Sequence, residues 1–173
     1  MAVYNNPVNY RSIYVAEAWY TFIIIVKFFL IFILYISKKF IQVMDSKIRY
    51  ELEFPLNSSP QLLYQYISTP SGLQEWFADN VNSRGEFFTF IWDGNEENAR
   101  LASKKSGEKV KFRWVDDQNN DTEYYFELRI LEDEITKDVS LMVVDYALED
   151  ELEESKLLWE NQVSDLKHVI GSI

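Results

Sequence analysis

Few side chains in this 173-residue sequence can do chemistry, and their spacing limits what that chemistry is. There is no cysteine and a single histidine, His168. A thiol nucleophile, a thiolate metal site and a disulfide scaffold are therefore excluded. A Ser-His-Asp triad and a His-rich metal centre fit poorly. Asp145 is the acid that stands out. It shares a parity with Leu141 and Val143, while Met142, Val144 and Tyr146 take the other, so it is expected to point inward from a strand. A buried carboxyl needs a partner or takes up a proton. Tyr50 or Arg113 could be that partner, and a raised pKa would suit a general acid. A register one residue out would instead place Asp145 outside. His168 sits near the end of a predicted helix and is expected to be partly exposed. Glu96-Glu97, Asp116-Asp117 and Glu132-Asp133-Glu134 lack calcium-loop spacing and read as solvated turns, so no metal or other cofactor is expected. Asn57-Ser58-Ser59 and Asn120-Asp121-Thr122 match glycosylation sequons, which a cytoplasmic domain leaves unused. No Gly-rich phosphate loop occurs.

Charge divides the chain. The formal net charge is −11. Residues 1–43 carry a net +3, and residues 44–173 carry 13 basic against 27 acidic side chains, a net −14. The shift near Met44 is a domain-boundary signal. Such acidity argues against nucleic acid as the partner, because that affinity rests on neutralising phosphates.

The first part contains an apolar segment, residues 19–36, with Lys27 as its one charge. A membrane span needs roughly 20 apolar residues, with about 17 as the lower limit. Trp19, Tyr20 and Tyr35 lie at its ends, where interfacial aromatics belong. Lys27 would cost about 2.5–3.5 kcal/mol at the centre of a span, which the flanking Phe, Ile and Leu residues can offset. Lys38 and Lys39 would then hold the C-terminal side in the cytoplasm. The segment makes a poor signal peptide, since no small-residue cleavage site follows it. Three readings of residues 1–43 stand: a membrane anchor, an over-extended gene start with Met44 as the true initiator, or a buried or surface helix. Each leaves the acidic part cytoplasmic, with membrane contact only in the first case.

The remaining residues must position any site. Tyr50, Leu52 and Phe54 alternate with Arg49, Glu51 and Glu53, which predicts a half-buried strand ending at Pro55. Ser58 or Ser59 with Pro60 predicts a short helix carrying Leu62, Leu63, Tyr66 and Ile67. Ser71 is expected to cap a second one carrying Leu73, Trp76 and Phe77. From Arg84 to Ala147 the pattern is serial strands with short polar turns, hence antiparallel pairing. Strands are expected over 87–92, 96–103, 110–114, 124–130 and 141–146, with a hairpin at Asp93-Gly94-Asn95. From Asp150 an apolar stripe, Leu152, Trp159, Val163, Leu166 and Ile170, predicts one long helix. Its start is acidic, Lys167 and His168 lie near its end, and Gly171 can stop it.

This order resembles the α+β helix-grip fold of the START-like superfamily: a curved antiparallel sheet wrapped on a long C-terminal helix, with two short helices after the first strand. Phe54–Val81, with Thr69, Pro70 and Leu73 to Phe77, is similar to the opening of the family of activators of the heat-shock ATPase chaperone. Pro70 follows Thr69 directly, where the usual spelling inserts one residue. The closing helix, with Trp159, Leu166 and Gly171, resembles that family's end, with Leu158 in place of a glycine. The resemblance spans about residues 46–171, and a small START-like group of the Bacteroidetes has the nearest character. It implies a hydrophobic cavity between sheet and helix, and relatives that bind lipids or other apolar ligands, bind chaperones, or act on polyketides. No catalytic residue carries over.

The expected ligand-binding set is Trp76, Phe77, Phe90, Trp92, Phe112, Trp114, Phe126, Val143, Asp145 and Trp159, the same side chains that would fill a closed core. The resulting expectation is a non-catalytic binding domain for a small hydrophobic ligand or a protein partner, without a cofactor. A polyketide-cyclase-like or hydrolase-like enzyme using the same cavity is one alternative, and a chaperone-cofactor-like interaction module is another. A homodimer through an edge strand is compatible with the pattern.

Overall fold

The computed structural model describes residues 26–37, 46–115 and 124–172. The chain divides into two units, Met1–Ser46 and Lys47–Ile173. In the first, residues 26–37 form a helix whose large apolar side chains are exposed, Phe28 by 71% and Leu34 by 66%. At 1.5 Å per residue this helix is about 18 Å long. Among the described residues no helix is long and apolar enough to cross a membrane. Residues 19–25 of the expected apolar segment lie outside the described residues, as do the expected turn 116–121 and the second sequon.

In the second unit the alternation beginning at Ile48 becomes β1 (Ile48–Leu56). It continues past Pro55, contrary to expectation, because β1 is an edge strand with a single neighbour and can tolerate a residue without an N–H. Ser59 caps α1 (Pro60–Ser68), its hydroxyl accepting from the Leu62 N–H at 3.2 Å. The next cap is Thr69, not the expected Ser71: it accepts from the Gly72 N–H at 3.0 Å and opens α2 (Pro70–Gln74). The reason is Pro70, which fits the first helical position and makes the residue before it the cap.

Seven strands follow the order β1-β7-β6-β5-β4-β3-β2, all antiparallel, in one curved sheet. The strands after β1 are β2 (Asn80–Arg84), β3 (Phe87–Trp92), β4 (Asn95–Lys105), β5 (Lys109–Trp114), β6 (Phe126–Glu132) and β7 (Val139–Ala147). The sequence pattern missed β2, whose only large apolar residue is Val81; this edge strand is fixed by its register against β3, not by periodicity. Asp93 (φ 48°) and Gly94 (φ 80°) make the two-residue hairpin between β3 and β4. A bulge between Leu101 and Ser103 makes β4 longer than expected and kinks it.

The closing helix α3 (Leu152–Ile170) forms as predicted and buries Trp159, Val163 and Leu166. Gly171 ends it in the left-handed conformation, φ 71°. All three helices share one face of the sheet with the buried apolar side chains of every strand. The core is therefore the layer between that face and the helices.

Candidate functional site

The inner sheet face is lined with rings because successive strands place an aromatic at matching depth. Phe88, Phe90 and Trp92 on β3, Phe112 and Trp114 on β5, and Phe126 on β6 share the inward parity. Phe77, in the turn after α2, enters this array from the helix side. Its ring centroid lies 5.1 Å from Phe90, 5.5 Å from Trp92, Trp76 and Phe126, and 5.6 Å from Trp159. Its backbone is held from two sides: its carbonyl accepts from the Trp92 indole at 2.7 Å and from the Gln162 amide on α3 at 3.3 Å. Edge-to-face pairs dominate around Phe90, as ring quadrupoles favour.

One carboxyl meets this apolar body. Tyr50 on β1 stands directly opposite Asp145 on β7. The Asp145 Oδ2 accepts the Trp159 indole N–H at 2.8 Å and the Tyr50 hydroxyl at 3.4 Å, while Oδ1 accepts the Tyr146 backbone N–H at 2.8 Å. The Tyr50 and Ser155 hydroxyls are 2.5 Å apart. Burial pushes the Asp145 pKa up, against the opposing pull of the Trp159 and Tyr146 N–H groups. Burial also lifts Tyr50, with the Asp145 charge adding to it, to about 12.

The ten residues expected from the sequence thus form one contiguous body. Phe90, Phe112, Phe126 and Val143 are fully buried, and Trp76, Phe77 and Trp159 nearly so. Trp92 and Trp114, 6.3 Å apart, are the half-buried end. A cleft of about 340 Å³ opens there, lined by Glu96, Glu97, Asn98, Trp114 and Val115. Of the two partners expected for Asp145, Tyr50 is present; Arg113 lies on the outer face and donates instead to the Tyr124 carbonyl at 3.5 Å. The inward reading of Asp145 holds, but its shortest side-chain bond comes from Trp159, a residue 14 positions on that pairing rules for strands could not reach. Ser155 was likewise missed, although it lies one helical turn before Trp159 on the same stripe.

Tyr64 on α1 was missed too. Its hydroxyl is buried without a hydrogen-bond partner among the described residues, and the Lys104 ammonium lies 5.6 Å from its ring. His168 is exposed, with Nδ1 2.7 Å from the Ser164 carbonyl. A larger open groove of about 920 Å³ lies elsewhere, between the end of β1 and the β6–β7 turn. Glu53, Asn57, Asp138 and Ser140 are among its mainly polar lining, and none of the ten residues touches it. Among the described residues no group of His, Asp and Glu could hold a metal ion.

Comparison with known proteins agrees with this architecture. No curated protein matches the sequence. The solution structure of the Bacteroides fragilis protein BfR322 is 35% identical, with a TM-score of 0.52 over 71% of this chain and 90% of that one. The Aha1 dimer from Colwellia psychrerythraea shares the fold at 14% identity and a TM-score of 0.58, covering 71% of this chain and 96% of that one. CalU16 from Micromonospora echinospora shares it at 16% identity and a TM-score of 0.55, covering 73% and 77%. The profile of the START-like superfamily domain matches residues 44–172, the span that builds the sheet, the grip helix and the aromatic interior, and the chain belongs to that superfamily.

Proposed function

We propose that the domain is a non-catalytic binding module for a small apolar ligand that enters between α3 and the sheet at the Trp92–Trp114 end. One observation carries this reading. Rings run without interruption from these two half-buried tryptophans through Phe77 to Trp159, and end on the half-buried Asp145. A mainly apolar surface with a few fixed polar groups is what recognition of a small molecule uses. The unpartnered Tyr64 hydroxyl is a further polar hook in the same layer. A binding role is supported by the company Asp145 keeps, since its hydrogen bonds come from an indole, a backbone amide and a phenol.

A protein partner is the second reading, favoured by the mutual contacts of the buried rings: if the rings do not part, only the tryptophan edge is offered. In both, the domain works in the cytoplasm, as a monomer or as a dimer, and residues 19–36 tether it to a membrane if they belong to the working chain. The test is native mass spectrometry of full-length protein from its own host, followed by tryptophan-fluorescence titration with fatty acids and aromatic lipids. A retained small molecule, and quenching lost in Trp114→Ala, supports the ligand. No adduct in repeated preparations and no quenching by the panel overturns it.

A further inference from the structure

The tryptophan end of the aromatic layer also carries a carboxylate. Directly opposite residues of an antiparallel pair share a face of the sheet. Ala99 on β4 stands opposite Phe88 and Trp114, and Glu97 stands opposite Phe90, so Glu97 belongs to the inner face with the rings. β4 runs between β3, which carries Trp92, and β5, which carries Trp114. Trp92 lies opposite Asn95 and Trp114 opposite Ala99, which makes Glu97 the inner-face residue of β4 between the two tryptophans. Glu97 is exposed and, with Trp114, lines the cleft of about 340 Å³. Among the described residues no cation pairs with Glu96 or Glu97. The arginines of β4 and β5, Arg100 and Arg113, stand opposite one another on the other face.

The two indoles wall this carboxylate. Their centroids are 6.3 Å apart and their planes meet at 58°, a corner and not a stack. The Trp92 N–H donates to the Phe77 carbonyl at 2.7 Å, which fixes the ring and leaves it to offer a ligand its π surface instead of a donor. Trp114 is braced 5.1 Å from Phe126 and 5.7 Å from Phe90. Both indoles keep part of their surface exposed. An indole face attracts a cation within about 6 Å of its centroid, more strongly than the other aromatic side chains do. Rings alone would accept any apolar group, and an exposed carboxylate alone is held by water. Together they favour a cation whose own surface is apolar and weakly hydrated, and they repel an anionic head group.

We infer that the Trp92–Glu97–Trp114 corner binds an alkylated ammonium group, the head of the apolar ligand proposed above. The inference rests on that ligand reading and narrows its chemistry. Small-molecule sites run from about 300 to 1,000 Å³, and the cleft stands at the lower end, a size for a head group. The apolar remainder of the ligand follows the rings toward Phe77.

The test titrates full-length protein in a nonionic detergent, at constant ionic strength, with hexyltrimethylammonium, hexanol and hexanoate, and follows tryptophan fluorescence. These three share an apolar chain and differ in charge. Hexyltrimethylammonium should bind at least about fivefold more tightly than either of the others. Glu97→Gln, at an exposed position, should leave the urea midpoint unchanged, weaken the cation about fivefold and change hexanol less than about twofold. Glu96→Gln, opposite Ile91 on the outer face, should change the cation less than about twofold. Hexanol or hexanoate binding as tightly as the cation, or cation affinity unchanged in Glu97→Gln, overturns the ammonium assignment while leaving the apolar-ligand reading intact. Equal losses in the Glu96 and Glu97 variants overturn it as well, because the attraction would then be diffuse charge. Tighter binding of acetyl-trimethyllysine-amide than of hexyltrimethylammonium overturns it in favour of a protein side chain. No quenching by any of the three chains also overturns it, and the lipid panel then decides the ligand reading by itself.

Discussion

Trp159→Phe isolates the bond that joins the grip helix to the sheet through Asp145. The substitution keeps most of the aromatic contact with Phe77 and Phe126 but deletes the indole N–H, which donates to Asp145 at 2.8 Å. Hydrogen bonds to charged groups contribute about 1.5–3 kcal/mol, and the smaller ring leaves a void worth about 1 kcal/mol more. The first part depends on pH and the second does not. In the native protein, burial already lifts the Asp145 pKa above its usual 3.8, so the folded chain holds this proton more tightly than the unfolded one. The stabilisation from that proton is full below 3.8 and is lost as pH rises through the folded value. Removing the indole N–H takes away a group that favours the ionised form, so Trp159→Phe raises the folded pKa further.

The variant should therefore lose about 2.5–4 kcal/mol at pH 7.5, where Asp145 is ionised and short of a donor. The loss should shrink toward about 1 kcal/mol near pH 3.5, where the proton is on in both proteins. Urea unfolding followed by far-ultraviolet circular dichroism, at half-unit steps from pH 3.5 to 8, measures this directly. A loss equal within about 0.5 kcal/mol at both ends of the range would refute the reasoning, because the indole would then be packing and not holding a charge.

Phe77→Ala should cost about 3–5 kcal/mol in urea unfolding and flatten the near-ultraviolet spectrum, since that ring touches Phe90, Trp92, Phe126 and Trp159. Gly72→Ala should destabilise by about 3 kcal/mol or more, at or beyond the upper end for overpacking, because its Cβ would stand 2.3 Å from the Gln65 carbonyl oxygen and 2.6 Å from the Tyr66 Cα, neither of which can rotate away. A melting temperature within 2 °C of the parent would contradict that geometry. Ser59→Ala should remove about 1 kcal/mol with the α1 cap, measured as a shift in urea midpoint at constant slope.

The long helix, the short helices and most strands were legible in the sequence because each writes a local period: every third or fourth residue on α3, every second on β1, β5, β6 and β7. The ring residues could be named for the same reason, since parity tells which face each takes. Turn chemistry at Asp93-Gly94 and the stop at Gly171 were equally local. The resemblance then supplied the topology that periodicity alone leaves open.

Tertiary structure decided what has no local period. Val81 alone could not announce β2, which exists through its pairing with β3. Asp145 could be aimed inward from its parity, but its link to Trp159 depends on where α3 crosses β7, a distance in space that no spacing encodes. Where the aromatics meet is likewise a matter of tertiary structure, because Phe77 reaches Phe90 and Trp159 from the turn after α2, outside the sheet. The place of Glu97 between two tryptophans also appears only when β3, β4 and β5 are laid side by side, because residues separated along the chain become neighbours only through strand register.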